Sequence, residues 1–250
     1  MSTVTTPIAD PIAEAERLVA AGAEQDIPMR MIGGVAVAIR CASALKPPLH
    51  RDYADIDVVA PARRGRAIRD LMEGLGYEQD QSFNALHGGH RLYFWDPVNE
   101  RQVDVFLDKM EMCHAFDFSK RIDVDSQTLS LADLLLLKLQ IVEANHKDYL
   151  DMLALLTDHE LTSDDDGINV RYLSALAADD WGLWRTTTHS AERVDHVARE
   201  LDGFEQTTRV HEQIRTLLTA LEDAPKSRRW KMRAKVGERR RWYEVPEEEH

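Results

Sequence analysis

Two aspartates one residue apart in an apolar, β-branched run, Asp55-Ile56-Asp57-Val58-Val59, constrain this chain more than any other stretch. In an extended strand, residues i and i+2 share a face. The spacing therefore sets two carboxylates side by side and sends Ile56 and Val58 into a core. Two like charges that close repel, and a cation relieves the repulsion. Carboxylate oxygens are the ligands Mg²⁺ prefers. A third acid stands in a second β-branched run, Val103-Asp104-Val105-Phe106, where alternation puts Asp104 on the face opposite Val103 and Val105. The expectation is a cluster of Asp55, Asp57 and Asp104 that holds divalent metal, two Mg²⁺ ions in the full reading, for in-line phosphoryl or nucleotidyl transfer. The competing expectation is a set of solvent-facing strand acids.

Upstream, Gly33-Gly34 follows a short apolar segment, Met29 to Ile32, and opens a helical pattern. A helix N-terminus presents free N–H groups, and glycine lets a phosphate approach the backbone. A tight turn that needs positive φ is the plainer explanation. Downstream, Lys138 interrupts a leucine stripe, Leu131, Leu134, Leu135, Leu139. A lysine there must find an anion or reach water. The candidates are a triphosphate, or Asp148 and Asp151, which share a helix face at i, i+3.

Taken together, Gly33-Gly34, Arg51, Asp55-Ile56-Asp57 and Val103-Asp104-Val105-Phe106 resemble the nucleotidyltransferase superfamily of the polymerase-beta type. The leucine-rich run bearing Lys138, followed by Lys147-Asp148-Tyr149-Leu150-Asp151, is similar to the AbiEii-type toxins of toxin–antitoxin systems. The resemblance covers residues 29–158. It implies Asp55, Asp57, Asp104 and Lys138 as catalytic residues. It implies Gly33, Gly34, Arg51, Lys138 and Asp148 as nucleotide-binding, a nucleoside triphosphate as substrate, RNA such as the 3′ end of tRNA as acceptor, and an antitoxin as protein partner. Aminoglycoside and lincosamide nucleotidyltransferases share the Gly-Gly start and the Asp-Ile-Asp strand, so a small-molecule acceptor stays open. Tyr53 and the long Gly34–Asp55 gap leave open a non-catalytic binding or regulatory protein on the same fold.

Strand, helix, strand, helix and then further strands give an α/β (α+β) nucleotidyltransferase-like mixed sheet with flanking helices, followed by a helical C-terminal half. The reading assigns helices to Pro11–Glu24, to a stripe Val35, Ala38, Ile39, Ala42, Leu45, and to Arg63–Leu75. It assigns strands to Glu78–Leu86, Arg91–Trp95 and Gln102–Leu107. The chain is helical from Ser130, broken at Thr162–Gly167. The domain expectation is a catalytic domain over 1–128, a helical domain over 129–224 and a basic tail over 225–250. His87, His90 and Arg91 on a glycine-rich turn are minor substrate-contact candidates, and Asp164-Asp165-Asp166 lacks the ligand spacing of a calcium loop.

Net charge is −13 over 250 residues, which excludes a chain that holds nucleic acid over its whole surface. Between Pro225 and Trp242, however, nine Lys and Arg residues face one acid, Glu238, with Trp230, Trp242 and Tyr243 interleaved. That segment is either an RNA contact with bases on its rings or a tail folded back on the acidic body. The two cysteines, Cys41 and Cys113, exclude a disulfide framework and a cysteine zinc site. No apolar run reaches spanning length, and Met1–Pro7 lacks a basic region followed by an apolar one. A cytoplasmic protein without a membrane contact is the expectation.

Overall fold

The computed structural model describes residues 5–245. By its internal contacts the chain forms two units. The first comprises Met1–Ile39, Asp52–Met110 and Ala115–Leu129. The second comprises Arg40–Arg51, Glu111–His114 and Ser130–His250.

The first unit is built on a five-stranded mixed sheet. Helix α1 (Pro11–Glu24) starts where Asp10 accepts the Ala13 N–H and proline takes the first turn. Then come β1 (Arg30–Ile32), α2 (Gly33–Arg40), β2 (Ile56–Ala60), α3 (Gly65–Gly74) and β3 (Glu78–Gln79). The unit continues through α4 (Gln81–His87), β4 (Arg91–Asp96), β5 (Arg101–Leu107) and a two-stranded ribbon, β6 (Lys109–Glu111) with β7 (Ala115–Asp117). The sheet order is β1-β2-β5-β4-β3. The central pair β2–β5 is parallel and the other pairs are antiparallel.

Period-2 alternation divides this sheet into an apolar and a polar face. Ile56, Val58, Leu92, Phe94, Val103 and Val105 are fully buried, and the register sets Leu92 opposite Val105 and Phe94 opposite Val103. The stripes of α1 (Ala15, Leu18) and α3 (Ile68, Met72) are buried as well. The opposite face carries Asp57, Asp104, Arg91 and Tyr93.

Two local expectations are corrected. The stripe from Val35 to Leu45 is not one helix. It stops at Arg40, and Ala42–Leu45 is a 3-10 turn with Leu45 47% exposed. The interval expected as strand Glu78–Leu86 pairs only over Glu78–Gln79. Asp80 then accepts the Phe83 N–H and starts α4. An N-cap aspartate outweighs the weak strand preference of the residues after it.

The second unit is mainly helical: α5 (Leu131–Leu139), α6 (His146–Asp158), α7 (Val170–Asp179), α8 (Trp181–Glu200), α9 (Thr207–Asp223) and α10 (Arg228–Val236). Between α6 and α7, β8 (Leu161–Thr162) and β9 (Ile168–Asn169) pair in parallel. Ser130 caps α5, and Asn145 and Asp148 form a capping box at α6. Among the described residues, no helix is long and apolar enough to cross a membrane.

Candidate active site

The first unit places Gly33, Asp57 and Asp104 together. Asp57 and Asp104 are register partners across the parallel β2–β5 pair, so their side chains leave the sheet on one face. Gly33 has φ +68°, which L side chains rarely adopt, and a Cβ there would overlap Asp57 Oδ2. Asp57 thus packs on the bare backbone where β1 turns into α2, at the end of the helix where N–H groups lack intrahelical acceptors. Both the turn that needs positive φ and the helix opening read from Gly33-Gly34 are present.

Asp104 is 3% exposed. Its Oδ1 accepts from Arg91 Nε at 2.7 Å and its Oδ2 from Gln102 Nε2 at 2.8 Å. Arg91 also stacks over the rings of Phe106, at 5.1 Å, and Phe83, at 5.6 Å. Tyr93, the register partner of Asp104, has its phenol pKa pushed up by burial and by the charges of Asp104, Asp80 and Asp55, with Arg91 opposing. Asp55 lies just before β2 and is exposed, while Asp57 is half-buried.

Among the described residues, no three His, Cys, Asp or Glu side chains stand close enough to hold one metal ion. The expected three-carboxylate cluster is therefore not assembled as a cage. Asp104 is committed to Arg91 and Gln102, and Asp55 lies outside the strand. The donor chemistry still fits Mg²⁺, because Asp55, Asp57 and Asp104 all offer carboxylate oxygens.

The second unit places Lys138, Arg51, Asp148 and Asp151 together. Lys138 Nζ lies 2.8 Å from Asp148 Oδ1 and 2.9 Å from Asp151 Oδ2. Arg51 grips Asp151 with Nε at 2.9 Å and Nη2 at 2.8 Å. Asp151 is 1% exposed, which explains why two cations converge on it. Burial alone would lower the Lys138 pKa. The charges of Asp151 and Asp148 outweigh burial and hold it above the ordinary lysine value. Of the two kinds of anion expected for Lys138, the structure brings the carboxylates of Asp148 and Asp151 to it.

Asp151 was expected only as a partner of Lys138, and its hold on Arg51 was not foreseen. The two are far apart in sequence, so spacing carries no signal. Arg91 was expected at the start of a strand and as a minor substrate-contact candidate; its hold on Asp104 was not foreseen, although alternation with Tyr93 puts both on the polar face. His87 stacks on Phe83, with ring centroids 4.7 Å apart, and His90 is exposed. Cys41 is buried, and burial chiefly pushes its thiol pKa well above the ordinary value.

No family model and no curated protein sequence matches this chain. Among solved structures, the solution structure of the antibiotic-resistance factor ANT(2″)-Ia is similar, with a TM-score of 0.39 at 13% identity over 57% of this chain and 80% of that one.

Proposed function

We propose that this chain is a nucleotidyltransferase that moves a nucleoside monophosphate from a nucleoside triphosphate to an acceptor hydroxyl. RNA is the preferred acceptor, in particular the 3′ end of tRNA. The observation that carries the reading is Asp57 lying against Gly33 while in register with Asp104. That arrangement sets paired acids beside a helix start suited to phosphate.

Asp55 and Asp57 would hold Mg²⁺, which when bound supplies neutralisation of triphosphate charge. The free N–H groups at the start of α2 receive phosphate oxygens, and Gly33 and Gly34 keep the approach clear. Asp104, its carboxylate oriented by Arg91 and Gln102, accepts the proton of the acceptor hydroxyl. The hydroxyl oxygen attacks the α-phosphorus in line, the bond to the bridging oxygen breaks, and pyrophosphate leaves. On the sequence resemblance alone, Lys138 and Arg51 are assigned to phosphate, in exchange with Asp148 and Asp151. The toxin role, with an antitoxin partner, rests on the sequence resemblance.

A second acceptor class has one observation in its favour. A chain of net charge −13 attracts a cationic small molecule such as an aminoglycoside more readily than RNA. Protein, Mg²⁺ and each α-labelled triphosphate, incubated with total RNA or with an aminoglycoside and lincosamide panel, separate the two. Label on RNA with pyrophosphate release, lost in Asp57→Asn, is the expected result. Label on neither acceptor class, or undiminished transfer by Asp57→Asn, refutes the proposal.

A further inference from the structure

The basic C-terminal segment does not project its rings into solvent. Ser227 N–H donates to the Ala178 carbonyl at 2.9 Å, and Ser227 accepts the Trp230 N–H to start α10. After α10 the chain turns at Gly237, φ +58°, and returns across the first turn of α8. There a Cβ on Gly182 would lie 2.7 Å from the Trp242 carbonyl. Trp242 Nε1 donates to Thr186 Oγ1 at 3.0 Å, and Glu244 N–H donates to the Cys113 carbonyl at 3.1 Å.

This return encloses a half-open cleft of about 820 Å³, a volume that takes more than one nucleotide. The residues that line it include Trp181, Trp242, Tyr243, Arg229, Arg233 and Arg241. Trp242 stands edge-on to Trp181 at 5.9 Å and to Tyr243 at 5.4 Å, and both Trp242 and Tyr243 remain half-buried. Arg233 is structural: it lies 4.7 Å over Trp181 and donates to the carbonyls of Gly237 and Arg240 at 2.7 Å. Arg229 is 77% exposed with Asp180 no nearer than 4.0 Å, and Arg241 is exposed beside the Tyr243 ring. Asp180 is already committed to capping α8. Of the other acids in the wall, Asp179 and Glu244 are exposed and could accept from ribose hydroxyls or base amino groups.

We propose that this cleft binds single-stranded RNA, with a base stacked on Tyr243 and flanking phosphates on Arg229 and Arg241. Rings beside exposed cations are what sequence-tolerant single-strand binding uses. The exposed basic residues of α10 and the residues after it extend the phosphate track beyond the cleft. The inference names where the acceptor of the proposed reaction would be held. Its test is equilibrium binding and needs no transfer, so either idea can fail without the other.

The probe is a short unstructured RNA titrated into the full chain while tryptophan fluorescence is followed. Four of the five tryptophans, Trp181, Trp184, Trp230 and Trp242, belong to this ring cluster. Saturable quenching is expected, with affinity falling steeply as salt rises. Arg229→Glu/Arg241→Glu should weaken binding about tenfold or more, and Tyr243→Leu should weaken it with an unchanged salt slope. Retained RNA affinity in the double variant overturns the proposal, as does a mononucleotide that binds as tightly as the strand. Tyr243→Leu guards against misfolding of the charge-reversed chain: unchanged affinity in that variant also overturns it.

Discussion

The carboxylate of Asp57 fills the space that a Cβ on Gly33 would need. Gly33 also has φ +68°, so a side chain there meets backbone strain and a charged neighbour together. Gly33→Ala is expected to cost about 1–3 kcal/mol and to displace Asp57. Gly89→Ala is the control, because a Cβ there has nothing within 4 Å. Urea unfolding of both variants checks this, and equal midpoints would show that the contact does not constrain the turn.

Arg91 and Asp104 form a pair whose side chains are 27% and 4% exposed. Arg91→Met takes the cation from a buried carboxylate, which keeps Gln102 as a donor, and Asp104→Asn takes the negative charge from the Arg91 guanidinium. Each should cost about 1–3 kcal/mol. Asp104→Asn should also abolish transfer if that acid takes the hydroxyl proton. The double variant should recover about 1–2 kcal/mol of the summed loss. Strictly additive losses in denaturant unfolding would mean that the pair is not coupled.

How far these contacts were legible in the sequence follows from where their signals lie. Asp57 and Asp104 each sit in a β-branched run, so period-2 alternation was enough to give their strands and their face. Gly33 was legible because glycine before a helical stripe marks positive φ. The end of α2 was not legible, because Ala42 and Leu45 continue the 3.6-residue period and only the exposure of Leu45 shows the break. Arg91 on Asp104 and Arg51 on Asp151 are contacts between remote segments, and periodicity does not report these. The rings of the basic tail gave no sign of their orientation, since composition alone fits stacking on bases and stacking on Trp181 equally well.

Lys138 serves two carboxylates, one of which also holds Arg51. Lys138→Met therefore leaves Asp148 and Asp151 short of charge, and a loss of roughly 3 kcal/mol is expected although methionine suits the leucine stripe. The folded pKa of Lys138 is raised, so this contribution is full below the unfolded lysine value and is lost as pH rises through the folded one. Stability against pH should show the wild-type advantage over Lys138→Met at neutral pH, narrowing only on the alkaline side of ordinary lysine titration. An advantage that vanishes near neutrality would contradict the pairing.

His114 and His159 have the opposite sign. Burial lowers both pKa values, against Asp180 for His114 and against the contact with the Arg40 carbonyl for His159. The folded state thus binds fewer protons than the unfolded state, and stability falls as pH drops through about 6.5. His114→Gln/His159→Gln should flatten the slope between about pH 7.5 and 5, before carboxylates titrate. Denaturant unfolding across that window measures it, and an unchanged slope would place the proton uptake elsewhere.

Deleting the residues after Ala224 removes more than charge. It strips Trp230 from Trp184, whose rings lie 5.3 Å apart, and Trp242 from Trp181 and Thr186. It also leaves the Ala178 and Cys113 carbonyls without the N–H groups of Ser227 and Glu244. Aromatic pairs contribute about 0.5–1.5 kcal/mol each beyond their buried area, and the freed carbonyls add a smaller cost. The truncated chain should therefore lose about 2–4 kcal/mol. Arg229→Glu/Arg241→Glu, which alters only exposed guanidinium groups, should unfold within about 0.5 kcal/mol of the wild type. The comparison is by urea midpoint. A truncated chain as stable as the full one would mean that the segment rests on the helices without contributing to them, and the rings would then be free to leave α8 for another surface.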